Sequence, residues 1–115
     1  MKKIILVLLA IFLSGVFLHP SFADRNTPTI TAYTSDTLIK QGDAKIYWID
    51  YVVTTNGGGF TIYDALTPAG SGIKTEGSQA VANNGGHIDF TNKPLELSTG
   101  LYLDVNNCNV VIAYE

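Results

Sequence analysis

Cysteine, histidine and basic side chains are scarce in this chain. Its 115 residues include one cysteine, two histidines and seven lysines and arginines, against ten acidic residues. A single cysteine excludes an intramolecular disulfide, so stability must come from packing or from association between chains. A zinc site usually needs three or four Cys or His ligands, and His87 and Cys108 alone are too few once His19 is lost with the N-terminal segment that we expect to be cleaved.

The N-terminus has the pattern of a secretory signal peptide. Met1-Lys2-Lys3 is a short positive head, and residues 4–18 are almost wholly apolar. Small residues at Ser21 and Ala23 suit signal peptidase, so we expect a signal-peptide helix over residues 1–23 and export to the periplasm, cell surface or medium. The apolar run falls short of the ~20 residues of a spanning helix, and an uncleaved anchor is the alternative.

Removal of the signal peptide leaves a distinctly acidic chain. Residues 24–115 carry five basic and ten acidic side chains, and hence a net charge of −5. The basic residues form no cluster, which argues against binding to nucleic acid or anionic lipid. This length corresponds to one domain. We expect a flexible leader at residues 24–28 and a β-domain over residues 29–115.

The longest strand-prone segment covers residues 44–55 and predicts a β-hairpin. It runs into Asn56-Gly57-Gly58-Gly59 and continues through residues 60–66. In the register that matches apolar faces, one face forms the core, with Ile49, Tyr51, Val53, Phe60, Ile62 and Leu66. The reverse face then carries Ile46, Trp48, Asp50, Val52 and Tyr63.

Two further turn signals extend the same pattern. Asn84-Gly85 predicts a hairpin with Val81 opposite Ile88, and a turn at Asn107-Cys108 predicts another with Val105 opposite Val110. Helical periodicity is absent after residue 23. Seven or eight short strands are expected, which favours an all-β fold, a single antiparallel β-sandwich or jelly roll, with a small closed barrel as the alternative.

The aromatic residues are the main candidates for binding. Tyr47, Trp48, Tyr63 and Tyr102 are more than the predicted core requires. Aromatic faces stack on sugar rings, and Tyr and Trp are also frequent in protein interfaces. Cross-strand packing is the structural alternative. We therefore predict a ligand-binding or partner-binding surface at these four residues.

No arrangement of residues predicts an enzyme, a cofactor or a metal site. His87 is the only histidine of the expected mature chain, Asp89 shares its strand face, and a nucleophile would have to be Cys108 or a serine such as Ser98. No spacing connects these residues to a known mechanism. Asp104 and its neighbouring asparagines offer oxygen ligands, but asparagine is also typical of turns with positive φ.

Cys108 lies at the tip of the predicted last hairpin. An exposed, unpaired thiol in an oxidising compartment can form an intermolecular disulfide. The alternative is a small side chain that fits a tight turn.

The region after residue 44 resembles small β-sandwich proteins known from bacteriophage and environmental sequences. The resembling segments are residues 45–65, HIDF at 87–90, STGLYLDV at 98–105 and VVIAYE at 110–115. Those relatives are mostly uncharacterised or presumed virion subunits, and the resemblance implies no active site. The alternating C-terminal segment is also similar to the last strand of exported pilus subunits.

The sequence therefore predicts an exported, non-enzymatic β-sandwich with a structural, self-assembly or partner-binding role. The alternative is a glycan-binding module or a pilin-like subunit of a surface appendage. Expected partners are a second copy of the chain, an extracellular protein or a glycan, but not nucleic acid.

Overall fold

The structure is a computed structural model that describes residues 27–68 and 72–115, and these residues form strands and no helix. The nine strands are β1 (Thr29–Tyr33), β2 (Thr37–Gln41), β3 (Ala44–Val53), β4 (Gly59–Asp64), β5 (Ile73–Ser78), β6 (Gly85–Asp89), β7 (Leu95–Leu97), β8 (Gly100–Asn106) and β9 (Cys108–Tyr114). The expected signal peptide, and the leader up to residue 26, lie outside the described residues. The all-β prediction is confirmed, but the described residues form nine strands rather than the seven or eight expected.

The strands form two antiparallel sheets. The five-stranded sheet has the order β1-β9-β3-β6. The short strand β7 also pairs with β3, at the beginning of β3 and ahead of the residues of β3 that pair with β6. The four-stranded sheet has the order β2-β8-β4-β5. Two separate sheets, rather than one closed barrel, enclose the core.

The core lies between the two sheets and is formed by alternate residues of the central strands. These buried residues are Ala44, Ile46, Ile49, Tyr51, Val53, Phe60, Ile62, Leu97, Leu101, Leu103, Cys108, Val110 and Ile112. Removing each large aliphatic side chain from water contributes roughly 2 kcal/mol before the entropy of ordering is subtracted. Five of the six core residues predicted for the long hairpin are confirmed, and the sixth, Leu66, is 45% exposed.

The long hairpin itself is wrong. β3 and β4 belong to different sheets: β3 pairs with β9, β6 and β7, whereas β4 pairs with β5 and β8. The glycine-rich segment carries the chain across the sandwich from one sheet to the other. Gly58 is buried there, and a Cβ on it would lie 2.5 Å from the carbonyl oxygen of Asn107, so the crossing needs glycine.

The two other predicted hairpins are crossings of the same kind. β8 and β9 lie in facing sheets, so Val105 pairs with Phe60 and Val110 pairs with Tyr51 and Tyr33. β6 pairs with β3, and Val81 lies in an exposed loop rather than opposite Ile88. When a connection crosses from one sheet to the other, the apolar residues of both strands still face the core between the sheets. The apolar patterns of two successive strands therefore match as they would in a hairpin, although the strands are not paired.

A bulge in β3 corrects the predicted position of Ile46. The pairing with β9 shifts between Ile46 and Trp48, so Tyr47 is the extra residue. The extra residue reverses the alternation of side chains on its N-terminal side. Ile46 is therefore fully buried instead of lying on the reverse face. Trp48 points outward from the five-stranded sheet.

Candidate functional site

The structure separates the predicted binding residues into two groups. Trp48 lies on the outer face of the five-stranded sheet, whereas Tyr63 and Tyr102 are directly opposite each other on the four-stranded sheet. Tyr47, at the bulge, donates a hydrogen bond from its hydroxyl to the Glu115 carboxylate, which raises the pKa of Tyr47. Tyr63 and Tyr102 can therefore act together, and Trp48 cannot join them.

Tyr63 and Tyr102 are part of a row of apolar side chains that crosses the whole four-stranded sheet. Leu38 pairs with Tyr102, Tyr102 with Tyr63, and Tyr63 with Ile73, so all four share the outer face. We call Leu38, Tyr102, Tyr63 and Ile73 the tyrosine row. The ring centroids of the two tyrosines are 6.5 Å apart and the rings are inclined by 64°. They form two differently oriented stacking surfaces.

A groove of about 310 Å³ adjoins the tyrosine row on the same face. Thr61 and Asp104 lie two residues from the row along β4 and β8, and Thr61 pairs with both Asp104 and Glu76. We call this the polar groove, and its polar side chains are Thr61, Glu76, Ser78, Asp104 and Asn106. Gly59 lines it without contributing a side chain. The surface thus combines aromatic rings with oxygen and amide groups.

Asp104, in the wall of the polar groove, has a second carboxylate beside it. Burial and the neighbouring Asp36 raise the pKa of Asp104 above its ordinary value. Asp36 is itself held in place, since it accepts a hydrogen bond from the backbone N–H of Val105 at 2.7 Å. The carboxylate beside Asp104 is therefore fixed in orientation, although Asp36 itself does not line the groove.

The outer face of the five-stranded sheet carries an acid-histidine pair. Asp50 and His87 are opposite each other, and the Asp50 carboxylate is hydrogen-bonded to Nδ1 of His87. The His87 ring lies 6.0 Å from Trp48, centroid to centroid. Asp89 instead accepts hydrogen bonds from the hydroxyl and N–H of Thr91. Among the described residues, no hydroxyl or thiol forms a hydrogen bond with His87, so this pair lacks a bound nucleophile.

A larger cleft of about 570 Å³ lies at the end of the sandwich and has mixed charge. Its charged side chains come from both sheets and are Lys40, Asp43, Lys45, Asp64, Lys74, Glu96 and Glu115. The most strongly held of these is Asp64, which accepts backbone hydrogen bonds from Ser98, Thr99 and Gly100 at 2.7 to 3.2 Å. Burial acts to raise the pKa of Asp64, but these bonds lower it below its ordinary value.

Asp64 lies opposite Leu101 at the end of β4, and backbone N–H groups satisfy its carboxylate. The Tyr51 hydroxyl accepts a hydrogen bond from the Gln79 side chain at 3.2 Å. Asp64 therefore joins the end of β4 to the turn before β8, which is a structural role.

Cys108 is in the core and not at an exposed tip. Its exposure is 3%, and burial raises the pKa of its thiol.

We expect a thiol reagent such as DTNB to label Cys108 in the native protein at least ~100-fold more slowly than in the urea-unfolded protein, because the reaction requires a thiolate that the reagent can reach. Labelling of both states at the same rate would contradict this position. An intermolecular disulfide through Cys108 would first require the core to open.

The described residues contain no group of three or more His, Cys, Asp or Glu side chains that could hold a metal ion. Asn107 adopts a φ of 48° at the crossing between β8 and β9, which is the turn conformation that asparagine favours. Within the described residues no helix has the length and hydropathy to span a membrane.

Comparison of the chain with protein-family models, curated proteins and solved structures finds no match. The candidate site therefore depends on geometry alone. Sequence patterns identified the two tyrosines but missed their neighbours Leu38, Ile73 and Glu76. These residues come from β2 and β5, whose positions beside β8 and β4 follow from pairings that no turn signal indicates.

Proposed function

We propose that this chain is an exported, non-enzymatic binding module whose ligand is a glycan, bound on the outer face of the four-stranded sheet. One observation carries the proposal: the tyrosine row and the polar groove adjoin on the same exposed face. A sugar offers apolar C–H faces and a rim of hydroxyl groups, and therefore needs both kinds of surface side by side.

The proposal takes the fold to be a jelly roll. Sheet orders of β1-β9-β3-β6 and β2-β8-β4-β5, joined by repeated crossings between the sheets, support that assignment. Jelly rolls occur in lectin domains and also in capsid proteins, so the fold is compatible with glycan binding but does not by itself indicate it.

The spacing of the two surfaces suits individual sugar units. The row at Tyr63 and the groove at Thr61 are two residues apart along β4, about 7 Å, which is close to the width of one sugar ring with its hydroxyls. Tyr63 and Tyr102 would stack on the sugars, while Asp104 and Glu76 accept hydrogen bonds from their hydroxyl groups. The 64° between the rings suits successive sugars that are turned relative to each other.

Retardation in native gels that contain soluble polysaccharides tests the proposal. We expect at least one neutral polysaccharide to retard the wild-type protein, and Tyr63→Ala and Tyr102→Ala each to weaken binding about fivefold or more, since an aromatic contact contributes ~1 kcal/mol. Retardation is preferable to tryptophan fluorescence, because Trp48 lies on the opposite sheet and should not respond.

Trp48→Ala is the matched control, because it removes an aromatic side chain from the other outer face. It should bind every polysaccharide as the wild-type protein does. A panel that retards neither protein, or equal binding by wild type and Tyr63→Ala, would reject glycan binding on this face.

A further inference from the structure

The strand β1 forms one edge of the five-stranded sheet. Among the described strands β1 pairs only with β9, along all five of its residues and without a register shift. Its other edge therefore presents backbone N–H and C=O groups that no described strand pairs with. Such an edge can add a strand from another chain.

The other sheet edges carry features that discourage strand addition, whereas β1 carries none. β2 has Lys40 and a bulge in its pairing with β8, and β5 has Lys74 and a bulge against β4. The edge opposite β1 is divided between β6 and β7, which contain Asp89 and Glu96. β1 has the sequence TITAY, with no charge, proline, glycine or bulge. Lysines, bulges and short strands are the usual protection of a sheet edge.

We propose that β1 is a dimerisation edge that pairs antiparallel with β1 of a second copy of this chain. Centred on Thr31, this pairing sets Thr31 opposite its own copy and Ile30 opposite Ala32 of the partner subunit. It joins two five-stranded sheets into one continuous sheet of ten strands. A twofold arrangement of this kind is closed, so it gives a dimer and not a fibre.

A second copy is favoured over an unrelated peptide because β1 is complementary to itself. Threonine pairs and pairs of β-branched with small apolar residues are favourable across antiparallel strands, and no like charges meet. Ile30 is 58% exposed, and the dimer would cover part of it. Ile30, Ala113 and Trp48 are cross-strand neighbours on the outer face of the five-stranded sheet. In the dimer this line of side chains would continue onto the outer face of the partner subunit. The tyrosine row lies on the other sheet and stays accessible.

Sedimentation equilibrium of the protein purified after expression of the full chain tests this inference. Wild type should show a monomer–dimer equilibrium that depends on concentration. In the double variant Ile30→Lys/Ala32→Lys, lysines of the two subunits would lie opposite each other at two places. In the double variant Ile30→Glu/Ala32→Glu, glutamates would lie opposite each other at the same two places. Each double variant alone should dimerise at least ~10-fold more weakly than wild type, since like charges directly opposite repel. An equimolar mixture of the two variants should form a heterodimer.

Val81→Lys is the control, because it adds a lysine at a position that is 56% exposed and lies outside β1, in the loop between β5 and β6. It should dimerise as wild type does. Circular dichroism should show that both double variants remain folded, as both changed positions are exposed. A wild-type protein that stays monomeric at ~1 mM, double variants that dimerise like wild type, or a mixture without heterodimer would each overturn the proposal.

Discussion

Asp64→Ala is expected to lower the free energy of unfolding by roughly 2 to 3 kcal/mol, because it removes a carboxylate that accepts several charge-assisted hydrogen bonds. Gly100 is buried, so its N–H would be left without a hydrogen-bond partner. Ser98 and Thr99 are exposed, so water can replace the carboxylate as the acceptor for their N–H groups. The loss is therefore smaller than the sum of the bonds. Urea denaturation at pH 7 measures it.

Asp43→Ala is the matched control, since Asp43 lines the same cleft and forms no hydrogen bond or ion pair with another described residue. It should change the stability by less than ~0.5 kcal/mol. Equal effects of the two substitutions would contradict the structural role of Asp64.

The contribution of Asp64 should also depend on pH in a defined direction. The pKa of Asp64 is lower in the folded protein than in the unfolded chain, where it is about 3.9. Its stabilisation is therefore complete above that pH and is lost as the pH falls through the folded-state pKa. The difference in unfolding free energy between wild type and Asp64→Asn should shrink below about pH 4.

Gly77→Ala is expected to lower the unfolding free energy by roughly 2 kcal/mol, which corresponds to a fall in Tm of about 10 °C for a domain of this size. A Cβ at Gly77 would lie 2.7 Å from Cε1 of Phe60 and 2.9 Å from Cε1 of Tyr51. Both rings are buried and pack edge to face, with centroids 5.1 Å apart, so neither can move without disturbing the core. Thermal unfolding followed by circular dichroism measures the effect.

A double-mutant cycle with Phe60→Leu separates this clash from a general effect on β5. Leucine lacks the ring edge that meets the new methyl group, so the double variant should be more stable than the sum of the single losses predicts. Additive losses would show that the contact with Phe60 is not the cause.

The sequence predicts the composition of the core much better than the pairing of the strands. Ile49, Val53, Phe60 and Ile62 were assigned correctly because alternation determines which side chains face inward. A glycine-rich turn, however, can return a strand beside its predecessor or carry it to the facing sheet. Both outcomes bury the same residues, and only long-range packing decides between them.

The predictions that were wrong for individual residues have causes in the local backbone structure. The bulge at Tyr47 shifts the alternation by one residue and moves Ile46 into the core. Cys108 follows a turn, which predicts exposure, yet it is the first inward-facing residue of β9. For the candidate site, Tyr63 and Tyr102 were recognisable as surplus aromatics, but their adjacency depends on the pairing of β4 with β8.

The crossings between the sheets also affect how the chain can fold. Six of the eight connections between successive described strands lead from one sheet to the other, and only β4 and β5 pair as sequence neighbours. Most native pairings, such as β1 with β9, therefore join residues far apart along the chain. Large loops must close before those contacts form, so a high contact order limits the folding rate, typically to milliseconds or seconds for such topologies. During that interval the apolar strands are exposed, and the net negative charge of the chain opposes the aggregation of unfolded copies.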